Sequence, residues 1–309
     1  MTAQAPNPTP KQETSIVVCT VDRLTELDAC LASLQRFQAA GAEVVVVNNG
    51  PYLACVEEVA GRYQACVVTE SRRGVSRARN AGVRAARGRI LAFLDDDSVA
   101  AIDWLPRLLD PLRDPLVLAV VGSVQPQSLA APATKALDEL HRAQFPPSPV
   151  VLSGAGGEFP MRTALLANAN MALRREVFER FGYFDTRFGR GTRIGSGEEP
   201  DLFLRILLGG GKIAAEPGAR IFHHHSAEWQ AVRKWAFQSG CAHTAMLTKY
   251  FLQEAQWHGT ILRYVFSRAR RTTAPAALSE PRTRPVSRTP LLFGSLYGPL
   301  AFLLSGVER

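Results

Sequence analysis

The chain has 309 residues, enough for one large α/β domain, or a domain with an appendage, around a sizeable core. Its five cysteines (Cys19, Cys30, Cys55, Cys66 and Cys241) are odd in number and lack CxxC or finger-type spacing, which argues against a disulfide framework or a zinc site and makes a reducing cytoplasm the default. The net charge of +8 is concentrated late, where Arg263, Arg268, Arg270, Arg271, Arg282, Arg284, Arg288 and Arg309 are opposed only by Glu280 and Glu308, a balance suited to phosphate-bearing surfaces.

The first residues, through Pro10 and Lys11, are polar and Pro-rich without the apolar core of a signal peptide, and read as a loose tail spanning 1–13. Ser15 to Thr20 is a continuous apolar strand, and Leu24, Leu27, Leu31 and Leu34 then recur at helical spacing through Phe37. Glu43 to Val47 is a second β-branched run, stopped by the turn Asn48-Asn49-Gly50-Pro51. Another helix, a strand at Cys66-Val67-Val68 and a helix over Val75 to Arg87 come next, and Arg89 to Leu94 forms a fourth strand. This alternation predicts an α/β fold, a mostly parallel sheet with helices on both faces. In such sheets ligands gather beyond the carboxyl ends of the strands, so the loop after Thr20, the Asn48 turn and the residues after Leu94 share one edge.

The fourth strand runs directly into Asp95-Asp96-Asp97. Period-two geometry places Asp95 and Asp97 on one side, about 6.6 Å apart if extended, with Asp96 facing the other way. Crowded carboxylates repel unless something positive sits among them, which points to a divalent metal; the alternative is a solvated turn that ends a strand.

Further along, the pattern predicts a helix near Trp104 to Leu112, a strand near Val117 to Val121, a Gly-rich loop over Ser153 to Gly157, and an apolar segment Met171-Ala172-Leu173 leading to a helix over Arg175 to Phe181. Gly189 to Gly197, with four glycines and two arginines, has the composition of a functional loop. It ends at Glu198-Glu199-Pro200-Asp201, which opens a helix whose buried stripe is Leu202, Phe203, Ile206 and Leu207. Three acids beside such a loop exceed what capping needs. His223-His224-His225 reads equally as a surface turn or a ligand set. Trp229 to Gln253 is a long helix with Trp235, Met246 and Tyr250 on its core side; residues 272–290 are a Pro/Arg-rich linker. Leu291 to Ser305 is apolar but roughly five residues short of a membrane span, and either lies on a bilayer surface or packs back as a C-terminal cover.

In this order the chain resembles the family 2 glycosyltransferases, enzymes of the GT-A nucleotide-sugar fold. The resemblance covers about residues 14 to 226 and rests on Ile16 to Thr20, Asn48-Asn49-Gly50, Ala78-Arg79-Asn80-Ala81-Gly82, Asp95-Asp96-Asp97, Asn170-Met171-Ala172, Gly182-Tyr183-Phe184-Asp185, Gly197-Glu198-Glu199 and Glu216-Pro217. It implies a catalytic domain over 14–226; the residues after it read as a C-terminal helical extension over 227–271, the linker and an apolar segment over 291–309. By the same resemblance Asp95 and Asp96 hold the nucleoside, Asp97 ligates Mg²⁺ or Mn²⁺, and His223 is a second metal contact with His225 its rival. Arg79 lies near the nucleotide, Asn80 fixes a loop, and Thr20 contacts the base. Asn48 stands where many relatives carry an Asp that reads the base, which leaves a UDP-sugar favoured and not secure. Glu199 takes the place of the catalytic base, with Glu198 and Asp201 as rivals.

The implied activity is metal-dependent transfer of one sugar, with inversion, from a nucleotide-diphosphate sugar to an acceptor hydroxyl. The acceptor is a saccharide or a lipid-linked molecule of cell-envelope polysaccharide or glycolipid synthesis. The implied location is cytoplasmic, with peripheral contact at the inner face of the membrane through the basic, apolar C-terminus. Nucleic acid is not expected, for want of aromatics interleaved with the arginines. A sugar nucleotidyltransferase is the alternative enzyme, although Val21-Asp22-Arg23-Leu24 lacks the glycines such a loop needs; a non-catalytic nucleotide-sugar-binding module is the alternative without chemistry. Processive synthesis is disfavoured, since Gln230-Ala231-Val232-Arg233 is followed by Lys234 in place of the tryptophan of the Gln-x-x-Arg-Trp signature.

Overall fold

The computed structural model describes residues 13–154, 159–161, 166, 168–224, 227–272 and 289–306. The N-terminal tail before Glu13, the linker between Thr272 and Thr289, most of the 153–157 loop and His225 lie outside the described residues.

The first half keeps the alternation seen in the sequence: β1 (Thr14–Thr20), α1 (Leu24–Ala39), β2 (Glu43–Asn48), α2 (Leu53–Gly61), β3 (Cys66–Thr69), α3 (Val75–Ala85) and β4 (Ile90–Asp95). The four strands are parallel in the order β3-β2-β1-β4. β1 and β2 are buried on both faces, hence their unbroken runs of valine and isoleucine. Val17, Val45 and Phe93 enter one core; Ile16, Val18, Val44 and Val46 enter the other, on the face covered by α1 and α2. Gly82 lets α3 sit directly on the sheet, because a Cβ there would run into Val17 and Val47.

The second half is mixed: β5 (Ser98–Ala100), α4 (Trp104–Leu109), a 3₁₀ turn (Asp110–Arg113), β6 (Val117–Pro126), α5 (Pro132–Gln144), β7 (Val150–Ser153), β8 (Met171–Arg174), α6 (Glu176–Phe181), α7 (Glu198–Leu208) and β9 (Lys212–His223). β8 runs antiparallel to both β4 and β6, β9 is parallel to β6, and β5 and β7 flank β9 antiparallel to it. The parallel sheet expected from the alternation thus accounts for β1 to β4, and an antiparallel β8 joins it to the rest. Periodicity identifies a strand such as Met171–Arg174 but carries no information on its direction.

Register positions the site. Cys19 pairs with Asp95 and Thr20 with Asn48, so β1, β2 and β4 end flush at one edge. Ser98 of β5 pairs with His223 of β9, which carries the first histidine of the run back beside the acidic triple.

After β9 come α8 (Trp229–Gln253), a 3₁₀ turn (Ala255–Trp257), α9 (His258–Thr272) and α10 (Thr289–Leu304). Met246 and Tyr250 are buried in the first core, and Trp235 packs with Ala133 and Leu137 in a smaller cluster. α10 lies along α8 with backbone almost touching backbone: a Cβ at Gly294 would strike the Phe237 carbonyl, one at Gly298 the Cys241 carbonyl, and one at Gly240 the Leu291 carbonyl. Among the described residues no helix is long and apolar enough to cross a membrane.

Candidate active site

Four segments meet at the carboxyl edge of the parallel strands. β4 delivers Asp95, and the turn after it delivers Asp96 and Asp97. α3 supplies Arg79, the loop after β1 supplies Arg23, and the beginning of α7 supplies Glu198 and Glu199.

Arg79 joins them. Its guanidinium is 4% exposed; Nη1 lies 3.0 Å from Glu198 Oε1 and 2.7 Å from Glu199 Oε1, while Nη2 lies 3.4 Å from Asp95 Oδ1. Burial alone would depress the guanidinium pKa, but Glu199, Glu198 and Asp95 raise it above its ordinary value, so it remains charged. The fork geometry of arginine suits this bridge between the strand tip and the helix start.

The carboxyls are not equivalent. Burial, reinforced by Glu199 beside it, pushes Glu198 up, against the opposing charge of Arg79. Burial also pushes Asp96 up to about 7, against the opposing charge of Arg23. Asp97 goes the other way: burial works against ionisation, but the hydrogen bond and charge of His223, with Arg23 and Arg190, hold it at about 2. Asp97 Oδ1 faces His223 Nε2 at 3.0 Å, and the His224 N–H donates to the Asp97 carbonyl at 3.1 Å.

Asp95, Asp97 and His223 each offer a ligand atom, and these atoms lie within 4.8 Å of one another. Two carboxylate oxygens and an imidazole nitrogen form a donor set that fits Mg²⁺ or Mn²⁺. The period-two expectation for Asp95 and Asp97 and the separate expectation for His223 converge here. Thr20, 1% exposed, is at the same edge.

A family model of glycosyl transferase family 2 matches residues 15–182. The chain belongs to that family. The succinoglycan biosynthesis protein ExoM of Rhizobium meliloti is 30% identical over 247 residues, covering 76% of this chain and 75% of ExoM. The glucosyl-dolichyl phosphate glucuronosyltransferase of Haloferax volcanii is 26% identical over 223 residues, 68% of each protein. Among solved structures, the Pyrobaculum calidifontis mannosyltransferase PcManGT, in complex with GDP-Man and Mn²⁺, superposes with a TM-score of 0.58 at 20% identity, covering 97% of this chain and 75% of that one. The protein is a nucleotide-sugar glycosyltransferase with the GT-A fold.

Asp201, a rival for the base, is fully buried: Lys249 Nζ of α8 lies 2.6 Å from Asp201 Oδ1, and Arg205 Nη2 lies 3.0 Å from Oδ2. A carboxylate so enclosed ties α7 to α8. Asn48 folds back on its own turn, Oδ1 accepting from the Gly50 N–H and Nδ2 donating to the Gly50 carbonyl. Asn80 clasps both backbone groups of Phe184, the loop-fixing role expected of it.

Sequence reasoning missed Arg23 and Lys249. Arg23 ion-pairs with Asp97 and lies 3.2 Å from Asp96 Oδ1. Its one sequence signal was position, directly after the first strand and before the first helical leucine. Lys249 also reaches Asp185 Oδ2 at 2.8 Å, and nothing in a long amphipathic helix marks one lysine as buried.

Proposed function

We propose that this glycosyltransferase transfers one sugar from a nucleoside-diphosphate donor to an acceptor hydroxyl with inversion, using Glu199 as the base. The observation that carries this reading is the Arg79 bridge, which puts the strand-tip acid Asp95 and the helix-start acids in one cluster. Glu199 is the more exposed of the pair, and burial disfavours the charged form of Glu198, which leaves Glu199 the better placed to accept a proton. Arg79 orients the Glu199 carboxylate, and the loop 189–197 that leads into α7 lines the acceptor side.

Asp97, with Asp95 and His223, would hold Mg²⁺ or Mn²⁺, which would offset the charge that develops on the departing diphosphate. Asp96, able to donate or accept near pH 7, and Thr20 bind the nucleoside. A uridine donor is favoured. Metal-dependent release of free nucleoside diphosphate from a panel of donors tests the reading; a panel with no turnover would favour the binding module, and pyrophosphate release from a nucleoside triphosphate and sugar phosphate would favour the nucleotidyltransferase.

The acceptor is a saccharide or a lipid-linked molecule, and the enzyme works peripherally on the inner face of the membrane. Support comes from α10. Its inner side is buried on α8, while Leu292, Phe293, Leu296, Leu300 and Leu303 form an exposed stripe in a helix without a charged residue; Leu296 is 78% exposed. The arginines at 282, 284 and 288 directly precede it in sequence, which matches an anionic bilayer. Phe302 packs on Phe188 at the root of the 189–197 loop, so a membrane against α10 lies beside the acceptor side. Co-sedimentation with phosphatidylglycerol vesicles at low salt, lost in Leu296→Glu, is the expected result. Failure of the wild-type protein to sediment, or a stable dimer closed over α10, would contradict it.

A further inference from the structure

Arg23 is the N-cap residue of α1, a sixteen-residue helix, and its side chain makes no capping hydrogen bond. That position favours Ser, Thr, Asp or Asn, and a cation there opposes the helix dipole. The side chain instead extends across the carboxyl edge of the sheet to Asp97 and Asp96. Asp97 is thereby held from both sides, Oδ2 by Arg23 and Oδ1 by His223. The same carboxylate belongs to the Asp95, Asp97 and His223 donor set. One side chain cannot keep its ion pair with Arg23 and give its full charge to a divalent cation.

We propose that Arg23 is a positioning residue that couples metal binding to nucleotide binding. Without nucleotide the guanidinium neutralises Asp96 and Asp97 and weakens the site for a metal arriving alone. When a diphosphate enters, the guanidinium, 37% exposed and on a flexible stem, transfers to the phosphate oxygens and releases Asp97. Arginine is suited to such an exchange because carboxylate and phosphate both match its fork. Metal and nucleotide then bind with positive cooperativity, each raising the affinity of the other by the same factor. This rests on the metal and nucleotide reading of the site given above.

The test is Mn²⁺ titration, monitored by the electron paramagnetic resonance of free Mn²⁺, of wild type, Arg23→Gln and Arg23→Lys, each with and without UDP. Arg23→Gln should bind Mn²⁺ alone about three- to tenfold more tightly, because a nearby positive charge is gone. UDP should then improve its Mn²⁺ affinity much less than it does for wild type. Arg23→Lys keeps the charge and should retain most of the coupling. Equal or weaker Mn²⁺ binding by Arg23→Gln, with wild-type coupling to UDP, would overturn the role of Arg23 and leave the site reading standing. Absence of Mn²⁺ binding in wild type, with or without UDP, would overturn both.

Discussion

Arg79 Nη1 lies 2.7 Å from Glu199 Oε1, a contact between residues 120 positions apart in the chain. The same guanidinium reaches Asp95 on the central sheet. Asp95 at the strand tip and the two glutamates at the start of α7 are therefore held by one buried guanidinium.

Exchange of the two glutamates separates their roles. Glu199→Gln should lower kcat by about 10²- to 10⁴-fold, the usual worth of a general base. Glu198→Gln replaces a carboxyl whose neutral form burial favours and should keep activity within about tenfold of wild type, because the amide preserves much of its hydrogen bonding. Steady-state kinetics with one donor and one acceptor, alongside far-UV circular dichroism, reads the difference.

Asp97→Ala should abolish the stabilisation that Mn²⁺ and UDP together confer on the wild-type protein. A ligand present at 100 times its Kd contributes about 2.7 kcal/mol. The variant should show no metal-dependent rise in melting temperature, while its unfolding remains cooperative.

Asp185 tests the anchoring of α8. Burial opposes its ionisation, but hydrogen bonds from Arg187 and the charge of Lys249 hold its pKa well below the usual carboxylate range. A depressed folded pKa means that its stabilisation is complete above the unfolded value, near 3.9, and is lost as pH falls toward the folded value. Asp185→Asn should therefore cost about 2–4 kcal/mol at pH 7, leaving Lys249 short of a partner, and progressively less below pH 4. Urea unfolding of both proteins at several pH values measures this.

Gly197 precedes α7 with φ of 97°, and an added Cβ would lie 2.8 Å from the Ala242 methyl group of α8. Gly197→Ala should cost about 1–3 kcal/mol of stability. It should also depress kcat more than it raises KM for the donor, since the shift falls on Glu198 and Glu199 and spares the strand tips.

Much of this architecture is legible in the residues alone. The unbroken valine runs of β1 and β2 could only be strands buried on two faces, and the alternation then fixed the edge where Asp95 to Asp97 had to appear. The long helix read over Trp229 to Gln253 coincides with α8. Other features depend on distant contacts. β8 is recognisably a strand, but only its pairing with β4 and β6 makes it antiparallel. Glu198 and Glu199 are adjacent and chemically alike, and their distinction arises from burial against Arg79, which sequence spacing does not encode. Asp201 looked like a third candidate base because the lysine that neutralises it stands 48 residues away on another helix.

On the proposed reading, the carboxyl end of β4 and the beginning of α7 surround one cation-bound diphosphate. Anomalous diffraction from crystals grown with Mn²⁺ and UDP tests it most directly. A manganese peak is expected among Asp95, Asp97 and His223, with the UDP phosphates on it and Glu199 facing the open side of the terminal phosphate. A peak on other residues, or a nucleotide bound with Glu199 in a different cavity, would contradict it.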